Sequence, residues 1–147
     1  MPEFLTERTS KEDFNTQKMV FTGKPSDISL LEKIFPNKEH IVMNSMEAVI
    51  AKYSHNVFGA LKVTYFNTIN EMCNKLGIDY KTVLKGILLS GYINDTHTMV
   101  PGPDGKYGYG GKCFPKDVKA FQKFTEGTDF SKLLNNVITL NEHYRNS

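Results

Sequence analysis

A chain of 147 residues has room for one ordinary domain with a real core, or for a small domain beside part of another, but not for two complete domains. With 39 % hydrophobic and 23 % charged residues, it has a globular composition, neither disordered nor membrane-spanning. The net charge of +2 comes from 18 basic and 16 acidic residues interspersed along the chain, with no basic run to follow a phosphate backbone, which argues against nucleic acid as a partner. No apolar stretch approaches the roughly 20 residues that span a bilayer, and the first residues, Met1 to Arg8, lack the cationic-then-apolar pattern of a signal peptide. A cytoplasmic protein is the expectation. The two cysteines, Cys73 and Cys113, sit in unlike settings, and no cysteine or histidine pair has zinc-site spacing, so neither a disulfide nor a structural metal is expected.

Up to about Asn44 the signals are mixed. Lys18 to Thr22 and His40 to Met43 are short β-prone runs. Between them, Ser26 to Phe35 places Ile28, Leu31, Ile34 and Phe35 at helical spacing, with Ser26 and Asp27 as N-caps. This predicts a β-α-β piece of an α/β sheet, too small to stand without neighbours.

From Ser45 the pattern becomes helical. With Ser45 as cap, a stripe runs through Val57 or Phe58, Leu61, Tyr65, Ile69, Met72 and Leu76, and Gly77 supplies a stop. Such a helix is roughly 50 Å long at about 1.5 Å per residue. It carries apolar residues on more than one face, which predicts a second subunit packed against it. Asp79 caps a shorter helix through Val83, Leu84, Ile87 and Leu88, ended by Ser90 and Gly91. Residues 94–111 hold two prolines and five glycines, the composition of either an ordered functional loop or a floppy linker. A helix with Pro115 at its first position then runs through Val118, Phe121 and Phe124 to Gly127. A last one, capped near Thr128 or Asp129, carries Phe130, Leu133, Leu134, Val137, Asn141 and Tyr144 on one stripe.

The chemistry concentrates in Tyr107-Gly-Tyr-Gly-Gly-Lys-Cys-Phe-Pro-Lys-Asp117. Glycines there let backbone N–H groups approach a ligand closely. Cys113 precedes a helix start, where the partial positive charge of the helix end, with Lys112 and Lys116, favours a thiolate. Asp117 falls one turn beyond it. On local pattern alone Cys113 reads either as an activated thiol or as a small buried residue in a tight turn. Cys73, between Met72 and Leu76, reads as core filler. Lys52 and Asn56, spaced i, i+4, are either an oxyanion-stabilising pair or a solvated helix face. His40, His55, His97 and His143 have no partner at catalytic spacing and read as surface or loop residues.

Three segments resemble the UDP-glucose/GDP-mannose dehydrogenase family: Pro2 to Glu7, Lys52-Tyr-Ser-His-Asn56, and Gly108 to Asp117. Within it, the members acting on UDP-glucose fit best. The insertion Val100 to Lys106 resembles a variant loop of part of the same family. The resemblance implies a mainly α fold, with residues 1–44 a remnant of an NAD-binding Rossmann domain and residues 45–147 a central helical dimerisation domain with a long central helix. It implies two successive hydride transfers from a UDP-sugar C6 alcohol to NAD, through a cysteine thiohemiacetal and thioester. By position, Cys113 is the nucleophile, Lys52 and Asn56 the oxyanion and water-positioning pair, Asp117 a supporting acid or base, and Glu3 a proton-transfer group. The same carry-over puts Phe4, Leu5, Tyr107, Tyr109 and Gly110 at the substrate, and Glu7 and Lys116 at the cofactor. Tyr92 stands where the family often has an arginine that reaches the neighbouring subunit's sugar site. No Gly-x-Gly-x-x-Gly follows a strand, so NAD has no recognisable seat, and the enzyme is expected to be partial, working with a separate NAD-domain chain. The competing expectation is a non-catalytic dimerisation or sugar-nucleotide-binding module.

Overall fold

The computed structural model describes residues 10–16 and 19–147, and the chain divides into two compact units at His55/Asn56. The first unit holds α1 (Ser10–Thr16), β1 (Met19–Phe21), α2 (Pro25–Ile34), β2 (His40–Val42) and the opening of α3 (Ser45–Leu76). β1 and β2 pair in parallel, with Met19 opposite His40 and Phe21 opposite Val42. Phe21 is fully buried and stacks on the His40 ring at 4.3 Å. His40 is half-buried: its Nδ1 faces the Lys38 carbonyl and its Nε2 lies 3.3 Å from Glu32. The predicted β-α-β piece is present, and the cap of α2 is shifted. Pro25 opens the helix, and Asp27, in the third position, accepts the Lys24 N–H at 3.0 Å rather than capping from outside.

α3 starts with a reciprocal box one residue earlier than predicted. Asn44 Oδ1 accepts the Glu47 N–H at 2.9 Å, and Glu47 Oε2 accepts the Asn44 N–H at 2.8 Å. Asn44, not Ser45, is thus the cap. At its other end Gly77 takes φ +67°, and the Ile78 N–H reaches back to the Cys73 carbonyl, the left-handed stop the glycine foretold.

In the second unit the remainder of α3 is joined by α4 (Tyr80–Leu88), α5 (Cys113–Phe124) and α6 (Asp129–Arg145). Asp79 caps α4 through the Lys81 and Thr82 amides, and Thr128 caps α6 through Ser131. α5 begins at Cys113, two residues before the predicted start. Pro115 is tolerated in the first turn because amides there have no intrahelical acceptor. α3 turns Val57, Ala60, Thr64 and Asn67 inward, while Phe58, Tyr65, Met72 and Leu76 of the predicted stripe are exposed, Phe58 at 66 %. Phe66 is buried as well, and close approach to α3 is seen at Gly59, which faces the Phe114 ring, and at Asn67, which holds Gly108. On α6, Leu134, Val137, Asn141 and Tyr144 are buried as expected, whereas Phe130 and Leu133 are exposed. Cys73 packs with Phe66 and Tyr80, bearing out its reading as core.

Burial pushes Tyr80, Tyr109 and Tyr144 up to about 12, aided by Cys73, by the Glu142 charge and by the Glu71 carboxylate respectively. Unfolded tyrosines ionise near 10. Their neutral form therefore stabilises the fold fully below pH 10, and this contribution is lost as the pH rises toward 12. Tyrosinate absorbance and helical circular dichroism followed together are expected to show these three ionising with the loss of helix. Complete ionisation near pH 10 with the helices intact would contradict the assignment.

Candidate active site

Residues 89–112 join α4 to α5 with no helix or strand, yet side chains anchor them along their length. Lys62 of α3 donates to the Asn94 carbonyl and Oδ1 at 2.8 and 2.7 Å, and the Tyr80 hydroxyl donates to the Thr98 carbonyl at 2.5 Å. Asn67 of α3 accepts the Gly108 N–H at 3.0 Å. Asn141 of α6 accepts the Tyr109 N–H at 2.6 Å and returns a bond from Nδ2 to the Tyr109 carbonyl at 3.1 Å. Both asparagines are buried. Gly108 is required twice over: its φ is +70°, and a Cβ there would lie 2.5 Å from Asn141 Oδ1. Arg145, at the end of α6, pairs with Asp104 at 2.7 Å and holds its carboxyl below the usual range. The Arg145 guanidinium also lies against Gly110, where a Cβ would meet it at 2.9 Å.

This anchored segment delivers Cys113 as the first residue of α5, with its side chain exposed, which removes the reading of a small buried residue. One turn on, Asp117 is only 3 % exposed. Its two oxygens are held separately: Oδ2 accepts from Asn56 Nδ2 at 2.5 Å, and Oδ1 pairs with Lys116. Asn56 is therefore no solvated helix residue; it is buried and tied to the helix that starts at Cys113. Lys52 lies one turn earlier on α3, and its charge acts second to partial burial in holding the His55 imidazole below its ordinary value. Tyr109 is buried, Tyr107 exposed, and Gly110 lies under Arg145. Glu3, Phe4, Leu5 and Glu7 lie outside the described residues. Reasoning from sequence overlooked Asn67, Asn141 and Arg145 as anchors. Asn141, a lone amide on an otherwise apolar stripe, was the available signal.

Residues 46–143 match the central domain of the UDP-glucose/GDP-mannose dehydrogenase family. The chain belongs to that family. It is 34 % identical to a UDP-glucose 6-dehydrogenase of Rickettsia bellii, over 96 % of this chain and 33 % of the relative. It is equally 34 % identical to a GDP-mannose 6-dehydrogenase of Pseudomonas aeruginosa, over 81 % of this chain and 28 % of that protein. A solved UDP-glucose dehydrogenase from the archaeon Pyrobaculum islandicum superposes with a TM-score of 0.84 at 32 % identity, covering 97 % of this chain and 33 % of the other. The chain thus spans about a third of the length of these relatives. The mainly helical fold with its small parallel sheet is that of the matching part of the family structure. Among the described residues no helix is long and apolar enough to cross a membrane.

In this family member the loop anchors carry a measurable load. Asn141→Ala strands the buried N–H and C=O of Tyr109, at about 1–3 kcal/mol for each group. Urea unfolding is expected to show a loss of about that size, whereas Asn135→Ala, on the exposed side of the same helix, leaves the midpoint nearly unchanged. Equal effects at the two positions would contradict the anchoring role.

Proposed function

We propose that this chain supplies the covalent-catalysis part of a nucleotide-sugar 6-dehydrogenase, acting on UDP-glucose together with an NAD-binding domain. The observation that carries the reading is an exposed thiol at the first position of α5, with a buried, doubly held carboxylate one turn behind it. In the proposed sequence the C6 alcohol would first give a hydride to the NAD held by the separate domain and a proton to a base, leaving an aldehyde. The Cys113 sulfur then adds to the aldehyde carbon and the carbonyl oxygen takes a proton, giving a thiohemiacetal. Loss of a second hydride, to a second NAD, and of the hydroxyl proton would leave a thioester. Water then adds, the C–S bond breaks, and the thiol and a uronate carboxylate are released. Asn56 fixes the Asp117 carboxylate so that it stays oriented through these steps. Lys52 and Glu3 are assigned their oxyanion and proton-transfer roles by the family resemblance, and so are the substrate contacts of Phe4, Leu5, Tyr107, Tyr109 and Gly110.

NAD does not fit the described residues. The turn from β1 to α2 carries one glycine, Gly23, and a Cβ there would already crowd Asp27 at 3.1 Å. The first unit instead exposes Leu30 and Ile34 of α2 and Ile41 and Val42 of β2 around a two-stranded parallel sheet, an arrangement that parallel sheets normally bury. We assign residues 1–44 to the edge of a larger NAD-binding sheet; the cofactor roles of Glu7 and Lys116 come from the family resemblance alone. Residues 45–147 form the central domain, and the exposed row Phe58, Tyr65, Met72 and Leu76 on α3 is its dimer face.

Mixing the chain with the NAD-binding segment of a full-length relative is expected to produce NADH from UDP-glucose, which the chain alone does not, and Cys113→Ser to abolish that turnover. Turnover persisting in the serine variant would overturn the nucleophile. Binding of UDP-glucose with no turnover in any mixture would favour a sugar-nucleotide-binding module instead. Sedimentation is expected to give a dimer; a stable monomer at micromolar concentration would contradict the α3 face.

A further inference from the structure

We propose that Gly59 is a positioning residue for Cys113, acting through the ring of Phe114. An interior glycine weakens a helix relative to alanine, so its presence in the middle of α3 calls for a reason. The reason is a ring. A Cβ built on Gly59 would lie 2.5 Å from Phe114 Cζ and 3.2 Å from both Cε atoms, so the tip of the ring enters the notch that the missing side chain leaves. Phe114 directly follows Cys113, and one turn of α3 separates this notch from Asn56, whose amide holds Asp117. Two contacts therefore lock the first turn of α5 onto α3: the ring in the notch and the amide on the carboxylate.

The ring is not free to swing aside. The His97 imidazole meets it edge-on at 5.2 Å, and Tyr109 approaches at 6.4 Å. His97 is itself held, with a left-handed φ of 64°, in a turn closed by the Thr98 N–H on the Asp95 carbonyl and fastened by the Tyr80 hydroxyl on the Thr98 carbonyl. Non-glycine residues adopt that conformation at a cost, and it persists where surroundings enforce it. With its sides bracketed, a ring pushed from Gly59 moves the start of α5 and carries Cys113 with it. The inference rests on the proposed role of Cys113 for its meaning in catalysis, but not for the placement itself.

Gly86 provides an internal control. It lies within α4, and a methyl group added there would meet nothing within 4 Å, so Gly86→Ala is expected to raise the melting temperature by about 4 °C, as helix propensity alone dictates. Gly59→Ala is expected to lower it. Iodoacetamide labelling of the chain at fixed pH, resolved by peptide mass, then separates positioning from general loosening, because Cys73 is buried in the core of the same unit. The expected result is a severalfold change in the Cys113 rate in Gly59→Ala with Cys73 still protected. Adding Phe114→Leu, which removes the ring tip, is expected to bring the double variant back to the rate of Phe114→Leu alone. In the reconstituted enzyme, Gly59→Ala lowers kcat by about tenfold to a hundredfold with KM little changed. An unchanged Cys113 rate, or Cys113 and Cys73 opening together, would overturn the inference. Turnover that survives Cys113→Ser would instead overturn the proposed function and leave the labelling result standing.

Discussion

The architecture around the thiol depends on one buried exchange: the Asn141 carboxamide pairs with both the N–H and the C=O of Tyr109. Fixing the backbone of a residue costs about 1–2 kcal/mol, and the segment from Leu89 to Lys112 is fixed without helix or sheet. Its stabilisation comes instead from side chains projected by helices that are already ordered. Asn67 and Lys62 reach it from α3, Tyr80 from α4, and Asn141 and Arg145 from α6. Among the described residues no buried side-chain nitrogen or oxygen lacks a partner, so this polar interior is fully satisfied. Rigid helices thereby lend their order to a glycine-rich loop that has little of its own.

The same logic explains the composition of α3. Its inward row of Val57, Ala60, Thr64 and Asn67 is smaller and more polar than its outward row of Phe58, Tyr65, Met72 and Leu76. Gly59 and Asn56 serve the close approach of α5, and Asn67 serves that of the loop. Phe66 is the large apolar residue of α3 that goes inward, while Phe58, Tyr65, Met72 and Leu76 stay exposed. The side of α3 that meets α5 and the loop is thus set by packing partners far off in the chain.

That is why the sequence was legible in some places and opaque in others. Local rules worked where the deciding partners lie within a few residues: Asp79 and Thr128 as caps, Gly77 as a left-handed stop, and the short strands flanking α2. Pro115 also placed the start of α5 to within two residues. Periodicity misled on α3, because it weights large residues, whereas beside Phe66 the buried positions include Ala60, Thr64 and Asn67. Asn141 was placed on the correct face of α6, but its partners are backbone atoms 32 residues away, and no spacing rule reaches that far. The Gly59 notch is invisible for the same reason: only the position of the Phe114 ring gives that glycine its meaning. His97 is the exposed loop residue the sequence suggested, but its ring contact with Phe114 was not legible there.

Amide hydrogen exchange on the 147-residue chain by itself, resolved at Gly108 and Tyr109, tests most directly whether the chain alone holds the loop before Cys113 in place. These two amides are expected to exchange as slowly as the interior of α3, because each is bonded to a buried asparagine. Exchange at the rate of an unstructured glycine-rich peptide would contradict it.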